Sequence, residues 1–202
     1  MSPPRRAAET TEALRASLVD HARRIVERDG AAALTMRSLA TEAGCAVGLP
    51  YKVFLDRQDL VVAILGAEFA RITAAAAEFT ARAGTASVGA NLTWFSELIL
   101  DSPAVALAEE VVAHEDLSKR MTAHVRETGA GPAAFEGAFA AYLVAEKRQG
   151  RVDADVDERA FAFLLAGAVH NLVMSGEAWP RPTRRQLRRW LDAVANAIAP
   201  RS

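Results

Sequence analysis

The chain has 202 residues, of which 51% are hydrophobic and 24% charged, with a formal net charge of −1. This size and composition allow a large packed core, and the balanced charge gives no overall basic signal for nucleic acid. The single cysteine, Cys45, excludes a disulfide within the chain and fits a reducing cytoplasm. No run of 18 uncharged apolar residues and no apolar signal-peptide segment occurs, so we expect neither a membrane span nor export.

Apolar residues recur at helical spacing along nearly the whole chain, and frequent alanine with few aromatic residues favours helix over sheet. Residues 1–10, with two prolines and two arginines, predict no regular structure. A first helix is predicted over Thr11–Asp29. A second begins after Thr35, whose hydroxyl suits an N-cap, and stops at Gly44, and a third covers roughly Val47–Phe54.

The chain beyond the third helix is also predicted to be helical. Asp56 can cap a long connector helix over residues 57–83, and Ser102 and Pro103 begin a later helix, as Pro132 begins another. No alternating β pattern longer than a few residues and no repeat of fixed period occurs. The sequence therefore predicts an all-α fold of about nine helices: three short or medium helices, a long connector and a bundle.

The second and third predicted helices have the spacing of a tight helix-turn-helix corner. A small residue at Ala40 lets two helices approach, and Gly44 four residues later adopts a positive φ at low cost. This pair alone is a weak signal in an alanine-rich chain. It gains weight from the helix before it, from Thr35 at its start and from the tract YKVFLDRQDL after it.

Residues 14–65 resemble the N-terminal domain of the TetR family of bacterial transcriptional regulators. The tract YKVFLDRQDL matches that family's Tyr-x-x-Phe-x-x-Lys/Arg-x-x-Leu pattern. The matching residues are Ile25, Gly30, Thr35, Arg37, Leu39, Ala40, Ala43, Gly44, Gly48, Tyr51, Phe54, Arg57 and Leu60. The resemblance covers about a quarter of the chain, and the remainder resembles the family's C-terminal domain only in its helical architecture.

This resemblance implies a helix-turn-helix DNA-binding domain in residues 1–60 and a ligand-binding and dimerisation domain in residues 61–202. It further implies a cytoplasmic homodimer that binds double-stranded DNA at a palindromic operator as a repressor. A small apolar or amphipathic effector would release the DNA, and no cofactor is implied. The two reading helices would lie about one DNA turn, ~34 Å, apart.

Three residues outside the reading helix are expected close to the DNA backbone, where phosphate contacts set the register of a protein on the duplex. Thr35 and Arg37 stand at the start of the second helix. Arg57 stands near the start of the connector helix, where backbone N–H groups and the helix dipole add attraction for a phosphate.

The third predicted helix is the reading helix, which in this motif lies in the major groove. The Tyr51 hydroxyl suits a phosphate, the Lys52 ammonium suits a phosphate or guanine, and Leu49 suits a thymine methyl group. Ala46 stands where the family usually has a capping serine or threonine, which costs roughly 1 kcal/mol of helix stability. Val47 replaces a residue that is often polar or basic. The DNA contact surface is predicted to include Ala46 and Val47.

Two further features weaken the DNA-binding signal. Pro50 lies about four positions into the reading helix, where we expect its ring to shift the helix start without breaking the helix. Residues 1–60 hold nine Lys/Arg and eight Asp/Glu, so a dimer presents a weakly basic surface. The alternative is a helical dimeric module that binds a ligand or protein and has lost sequence-specific DNA binding.

The C-terminal bundle predicts an apolar ligand site between its helices, as is common in such domains. The residues expected around an effector are Trp94, Met121, Phe135 and Phe139, with His124 as the polar group. No nucleophile–base pair, metal-ligand spacing or glycine-rich phosphate loop stands out. An enzyme is therefore the third and least favoured class.

A dimer interface is predicted on the last two helices, because the first of them is apolar on more than one face. These helices would pack against the chain's own bundle and against the same two helices of a second copy. The four helices together would form a bundle across a two-fold axis. The interface residues expected are Phe161, Leu165, Ala168, Leu172, Trp190 and Val194.

Two candidate reactive sites have a plainer explanation, which we favour. Cys45 is read as a small buried hydrophobe rather than a redox sensor. Glu110 and His114 lie four residues apart, with two more acids and His124 nearby. That spacing could hold a metal, but an ion pair on a solvated helix face fits better, and no metal site is predicted.

The last predicted helix carries or adjoins five arginines: Arg181, Arg184, Arg185, Arg188 and Arg189. A nucleic-acid patch is one interpretation, but we favour a solvated face that pairs with Asp153, Asp155 and Asp157. His170 and Asn171 stand in the most apolar helix, where a satisfied interface pair fits better than a catalytic one.

Overall fold

The computed structural model describes residues 4–175 and 181–201, with side chains from Thr11 onward. In these ranges there are ten α-helices and one 3-10 turn, with no strand, so the predicted all-α class is confirmed. The helices are α1 (Pro4–Asp29), α2 (Met36–Glu42), α3 (Pro50–Val53), α4 (Arg57–Ala81), α5 (Val88–Leu100), α6 (Ala104–Ala113), α7 (Glu115–Thr128), α8 (Pro132–Arg148), α9 (Glu158–Met174) and α10 (Arg184–Ala197), with the 3-10 turn at Ala31–Ala33.

Two helix boundaries differ from the prediction. α1 begins at Pro4, so residues 4–10 are helical where irregular structure was predicted, and residues 1–3 lie outside the described ranges. Proline is tolerated there because the first N–H groups of a helix have no partner within it. α3 begins at Pro50, where a start near Val47 was predicted, and residues 47–49 form a turn instead.

A first hydrophobic core joins the N-terminal helices to the middle of the chain. It contains buried side chains of α1, α2 and the first half of α4, such as Leu18, Leu39 and Ile64. It also contains Leu107 of α6 and Leu117 of α7, both fully buried. The helix-turn-helix segment therefore does not bury its apolar surface by itself, and α6 and α7 are part of its support.

A second core is built around stacked aromatic rings of α4, α5 and α8. Phe79 stacks on Phe95 with ring centroids 4.4 Å apart and on Tyr142 with centroids 4.2 Å apart. Phe139 meets Phe79 and Phe95 edge-on at 5.7 and 5.2 Å. Such pairs add about 0.5–1.5 kcal/mol each beyond the burial of their area, so this cluster fixes the far end of the bundle.

A fully buried carboxylate completes the second core. Glu146 accepts hydrogen bonds from the Tyr142 hydroxyl and from the Gly84 N–H (3.2 Å), and it lies 3.4 Å from the Arg151 guanidinium. Burial, followed by the hydrogen bond to Glu146, raises the pKa of Tyr142 above its ordinary value. The phenol therefore stays protonated and continues to donate to the carboxylate.

A second buried carboxylate, Glu68 of α4, ties three helices together. It is 1% exposed. Its oxygens lie 2.8 Å from Arg23 Nε of α1 and 2.9 Å from Arg71 Nη2, and it accepts a 2.7 Å hydrogen bond from Ser102 Oγ. Ser102 in turn accepts from the N–H of Ala104 at the start of α6 (3.2 Å). One buried charge thus links α4 to α1 through the ion pair with Arg23 and to α6 through Ser102.

By length and composition alone, α4 could cross a membrane, and it is the one such helix found in residues 4–175 and 181–201. In this fold it packs on α1, α6, α7 and α8 and carries the buried Glu68 network. Its apolar surface is therefore used inside the bundle.

Replacing Glu68 by glutamine should lower the free energy of unfolding by about 1–3 kcal/mol. The neutral amide no longer forms the ion pairs with two guanidiniums or offers Ser102 a charged acceptor. Urea unfolding followed by circular dichroism measures this change. Glu78→Gln is the control on the same helix: Glu78 is 62% exposed and faces one arginine, so its loss should cost under about 1 kcal/mol. Equal losses in both variants would contradict the role assigned to Glu68.

Candidate nucleic-acid interface and ligand cavity

The start of α2 is fixed by a reciprocal capping box. Thr35 Oγ1 accepts from the Ser38 N–H at 3.0 Å, and Ser38 Oγ lies 2.9 Å from the Thr35 N–H, which donates to it. Two of the N–H groups at this helix end are thereby satisfied. Thr35 and Arg37 are both exposed at this end.

The turn after α2 depends on Gly44, whose φ of 62° lies in the left-handed region. The Cys45 N–H donates to Ala40 O (3.0 Å) and the Gly44 N–H to Thr41 O (3.2 Å), which together form a Schellman motif. Ala40 is 1% exposed beneath this turn. The predicted roles of Ala40 and Gly44 are confirmed.

The helix α3 starts without a side-chain cap, but its N-cap residue is Leu49 and not Ala46, where the cap was predicted. Pro50 is its first residue, not its fourth, so the absent proline N–H removes no hydrogen bond from the helix. The Leu49 N–H instead donates to Ala46 O at 2.9 Å. Pro50 is buried and anchors the start of α3 rather than disturbing its middle.

The outward surface of α3 and its flanking turns is partly apolar. Val47 is 48% exposed, Tyr51 61% and Leu55 81%, and Lys52 is exposed beside them. Leu49 is half-buried, so less of it is available to a thymine methyl group than the sequence implies. Ala46 is exposed. Large exposed apolar side chains clustered in this way mark a contact surface rather than an inert one.

Most cations of the N-terminal helices are paired with acids of the same chain. Arg24 and Arg28 both lie against Glu42, at 3.7 and 3.1 Å. Among residues 11–60, whose side chains are described, only Arg37 and Lys52 lack such a partner. The unpaired positive charge offered by this segment is therefore confined to the α2 start and α3.

Arg57 differs from the expectation of a phosphate contact. Its Nε donates to Leu34 O (2.7 Å), its Nη2 donates to Ala31 O (3.1 Å) and its Nη1 pairs with Glu110 of α6. The guanidinium is thus engaged on all sides. Arg57 holds the chain that enters α2 against α6, and it positions the motif instead of presenting a free charge.

A clamp that sequence reasoning missed fixes the end of α3. Arg15 of α1 donates to Val53 O (3.1 Å) and to Asp59 Oδ1 (3.0 Å), and it lies 4.6 Å above the ring of Phe54. The other oxygen of Asp59 accepts from the Leu55 N–H at 3.0 Å. Arg15 is separated from Val53 by 38 positions and from Asp59 by 44. Helical periodicity gives no information on such distant contacts, which explains why the sequence did not predict them.

The start of α4 is held by α7 as well. Asp56 caps α4 by accepting from the Asp59 N–H (2.7 Å), and both its oxygens accept from Arg120 of α7, at 2.9 and 3.0 Å. The hydrogen bond from Arg120, then that from the Asp59 N–H, lowers the pKa of Asp56 below its ordinary value. With Arg57 on Glu110, the reading motif is attached to both α6 and α7.

Directly behind these attachments lies a cavity of about 460 Å³. Its walls come from α4 to α9 and are almost entirely apolar, with Leu65, Ile99 and Phe135 among them. The volume falls within the roughly 300–1,000 Å³ of cavities that hold small ligands. Because α6 and α7 form one wall, the cavity and the reading motif share the same two helices.

Of the five residues expected around an effector, Met121 and Phe135 line this cavity. Trp94 and Phe139 belong to the aromatic cluster instead, where Trp94 also lies under the Arg82 guanidinium at 4.5 Å. His124 packs on the α4 backbone at Gly66, where an added Cβ would meet the His124 ring. The polar residues found at the cavity are Ser118, Thr122, Arg126 and His170.

The exposed face of α9 differs from the predicted interface. Leu165 and Leu172 are buried within the chain's own bundle, and Phe161 is half-buried, whereas Ala168 is exposed. The outward stripe consists of Ala160, Phe163, Leu164, Gly167, Ala168 and Asn171. On α10, Trp190 is 49% exposed and Val194 half-buried. Phe163 and Leu164, at 65% and 62% exposure, were missed because α9 is apolar on all sides.

Most of the remaining candidates have structural partners. Cys45, predicted to be buried, is only half-buried because it follows the exposed turn at Gly44. Glu110 pairs with Arg57 rather than with a metal or with its own helix, and the described residues contain no group of three or more metal-ligating side chains. Arg184 meets Asp101 (2.8 Å) and Glu97 (3.8 Å), not the predicted aspartates. Asn171 bonds to Ser175 (2.8 Å).

Neither a protein-family model nor a curated protein matches the chain, whereas solved structures do. A TetR-family regulator from Mesorhizobium loti superposes with a TM-score of 0.67 at 17% identity, covering 93% of this chain and 96% of that one. A TetR regulator from Mycobacterium vanbaalenii gives 0.61 at 24% identity over 97% and 99% of the two chains. FadR from Bacillus subtilis, a transcriptional regulator solved with stearoyl-CoA, gives 0.55 at 14% over 91% and 96%.

The chain has the TetR fold. The likeness extends over nearly the whole of each of these proteins, so the C-terminal bundle shares the fold as fully as the helix-turn-helix does. At this level of identity the comparison establishes architecture, and the particular contacts of Arg57, Asp56 and Glu68 are read from this chain alone. Within the TetR fold, they connect the reading motif to the cavity wall.

The Asp56–Arg120 contact should contribute pH-dependent stability. Because the folded-state pKa of Asp56 is lowered, its contribution is fully present above the unfolded value, about 3.9, and is lost as pH falls through the folded pKa. Arg120→Gln should therefore reduce the free energy of unfolding at pH 7, and only slightly, because both side chains are exposed to solvent that screens the pair. The difference from wild type should shrink in acid, below about pH 4.

Urea unfolding at a series of pH values measures this difference. Lys119→Gln is the matched control, since the neighbouring Lys119 forms only an exposed pair with Glu115 within α7. Its effect should be near zero at every pH. A difference for Arg120→Gln that stays constant from pH 3 to pH 7 would contradict the assignment.

Proposed function

We propose that the protein is a TetR-family transcriptional regulator that works in the cytoplasm as a homodimer. It binds double-stranded DNA at a palindromic operator, represses transcription and is released by a small apolar or amphipathic effector. The observation that carries the proposal is the presentation of Tyr51 and Lys52 on an exposed α3, which Arg15, Asp59 and the Pro50 anchor hold from behind. Arg37 and the α2 N-terminus supply the backbone contacts.

The proposed release mechanism uses the shared helices α6 and α7. An effector in the cavity that favours a shifted position of these helices moves Glu110 and Arg120, which hold Arg57 and Asp56 at the start of α4. α4 then tilts, and two reading helices no longer match successive major grooves. The effector needs a differential affinity of only about 1–3 kcal/mol between the two states to weaken DNA binding markedly.

One observation favours a second candidate, a dimeric module that binds a ligand or a protein but not DNA. The surface of α3 offers Val47 and Leu55 to solvent, and only Arg37 and Lys52 of the side chains described up to residue 60 are unpaired cations. DNA affinity from so few phosphate contacts would be modest and strongly salt-dependent. The two candidates differ in whether Lys52 affects any binding event.

Lys52→Ala should weaken binding to DNA about tenfold and reduce the salt dependence of log K by about two, since a dimer loses two phosphate contacts. The measurement is fluorescence anisotropy across a salt series, on a duplex selected by the wild-type protein from a random-sequence library. Arg148→Ala is the control, because Arg148 is an exposed cation on α8. If no specific duplex is enriched, or both variants behave alike, the regulator proposal fails and the second candidate is favoured.

The dimer is proposed to form through the apolar stripe of α9, with Trp190 of α10 beside it. Leu164→Glu places a charge in that stripe and should convert a dimer into a monomer, as measured by light scattering coupled to size exclusion. Val112→Glu is the matched control: Val112 of α6 is also 62% exposed but lies on another helix. A wild-type monomer, or dissociation by both variants, would refute this interface.

A further inference from the structure

The polar groups around the cavity all lie at its rim, and the one acid or arginine among them is Arg126. Ser118, Thr122 and Arg126 follow each other at four-residue spacing along α7, and His170 stands on α9. All four are exposed to solvent. The lining residues that are buried, such as Ile72 and Ile99, are apolar. A ligand there meets an apolar interior and a polar opening.

Arg126 is the charged residue of this opening, and it has no acidic partner within the described ranges. The described lining contains no aspartate or glutamate. An anionic group at the rim would therefore gain a guanidinium partner, whereas a cationic group would meet repulsion with nothing to offset it.

The hydroxyls beside Arg126 are partly committed. Thr122 Oγ1 donates to Ser118 O at 2.9 Å, so its remaining capacity is to accept hydrogen bonds rather than to donate them. The donors that face a ligand at this edge are then the Arg126 guanidinium, the Ser118 hydroxyl and, depending on its tautomer, the His170 ring. A planar carboxylate, which only accepts, is the group that this set of donors can satisfy.

We infer that the cavity binds an apolar molecule ending in a carboxylate, with its apolar part among Ile72, Ile99 and Phe135 and the carboxylate on Arg126. The inference specifies the effector class and so rests on the proposed function for its biological meaning. The binding event itself is independent of DNA. Burial of the ligand's apolar part supplies the affinity, and Arg126 determines which head group is preferred.

The test uses three ten-carbon probes that differ only in the head group: decanoate, 1-decanol and decylamine. Isothermal titration calorimetry on the full-length protein without DNA, below the aggregation concentration of each probe, should show decanoate binding at least tenfold more tightly than decylamine. Arg126→Gln should weaken decanoate binding about fivefold and leave decanol within twofold of wild type, because only the charged contact at an exposed rim is lost.

Two controls keep the result specific. Arg148→Gln removes an exposed cation outside the cavity and should change none of the three affinities. Ala108→Phe fills the cavity beside α6 and should weaken all probes together, with circular dichroism confirming that the variant folds. Equal or tighter binding of decylamine, no binding of decanoate, or loss of decanoate binding in both arginine variants would each overturn the inference.

A separate DNA measurement distinguishes the two proposals. Decanoate that binds through Arg126 but leaves the selected duplex bound would uphold the ligand class and contradict the release mechanism. Release of the duplex by decylamine, with no effect of decanoate, would uphold a ligand-responsive regulator and overturn the carboxylate inference.

Discussion

The packing of the helices depends on one buried carboxylate, which is stable only with cationic and hydrogen-bonding partners. Glu68 sits in the middle of α4 at 1% exposure, and no single helix supplies enough donors to hold its charge there. Arg23 comes from α1 and Ser102 from the turn before α6, so these elements must meet at α4. Because an unsatisfied buried charge costs several kcal/mol, the three helices pack in this arrangement or the charge is not tolerated. The reading motif and the cavity wall are thereby joined.

The pairing of arginines with carboxylates of the same chain also shapes the surface that we assign to DNA. Arg15, Arg28 and Arg57 each bind a carboxylate of the chain itself, which stiffens the support of α3 but removes positive potential from the duplex-facing side. The reading motif is therefore well positioned and weakly charged. Such a protein would rely more on contacts of α3 with base edges than on phosphate neutralisation, which favours specificity over non-specific affinity.

Local chemistry made much of the fold predictable from sequence. Thr35, Gly44 and the capping oxygen of Asp56 act on residues within about five positions, so capping and turn preferences identify them, whereas the bond from Arg120 to Asp56 spans 64 positions and was missed. The Arg57–Glu110 contact spans 53 positions and follows from no periodicity, which is why Arg57 was predicted to meet a phosphate. Likewise, helical spacing marks Trp94 and Phe139 as apolar but cannot say whether they line the cavity or the aromatic cluster.

The central claim is that α1, α4 and α6 form one mechanical unit through Glu68. Native-state hydrogen exchange on wild type and Glu68→Gln tests it without any ligand or DNA. The account predicts that amides of α1 around Arg23 and of the first turn of α6 lose protection together, by the same factor, while those of α8 and α10 are unchanged. Loss of protection confined to α4, or spread evenly over all helices, would contradict it.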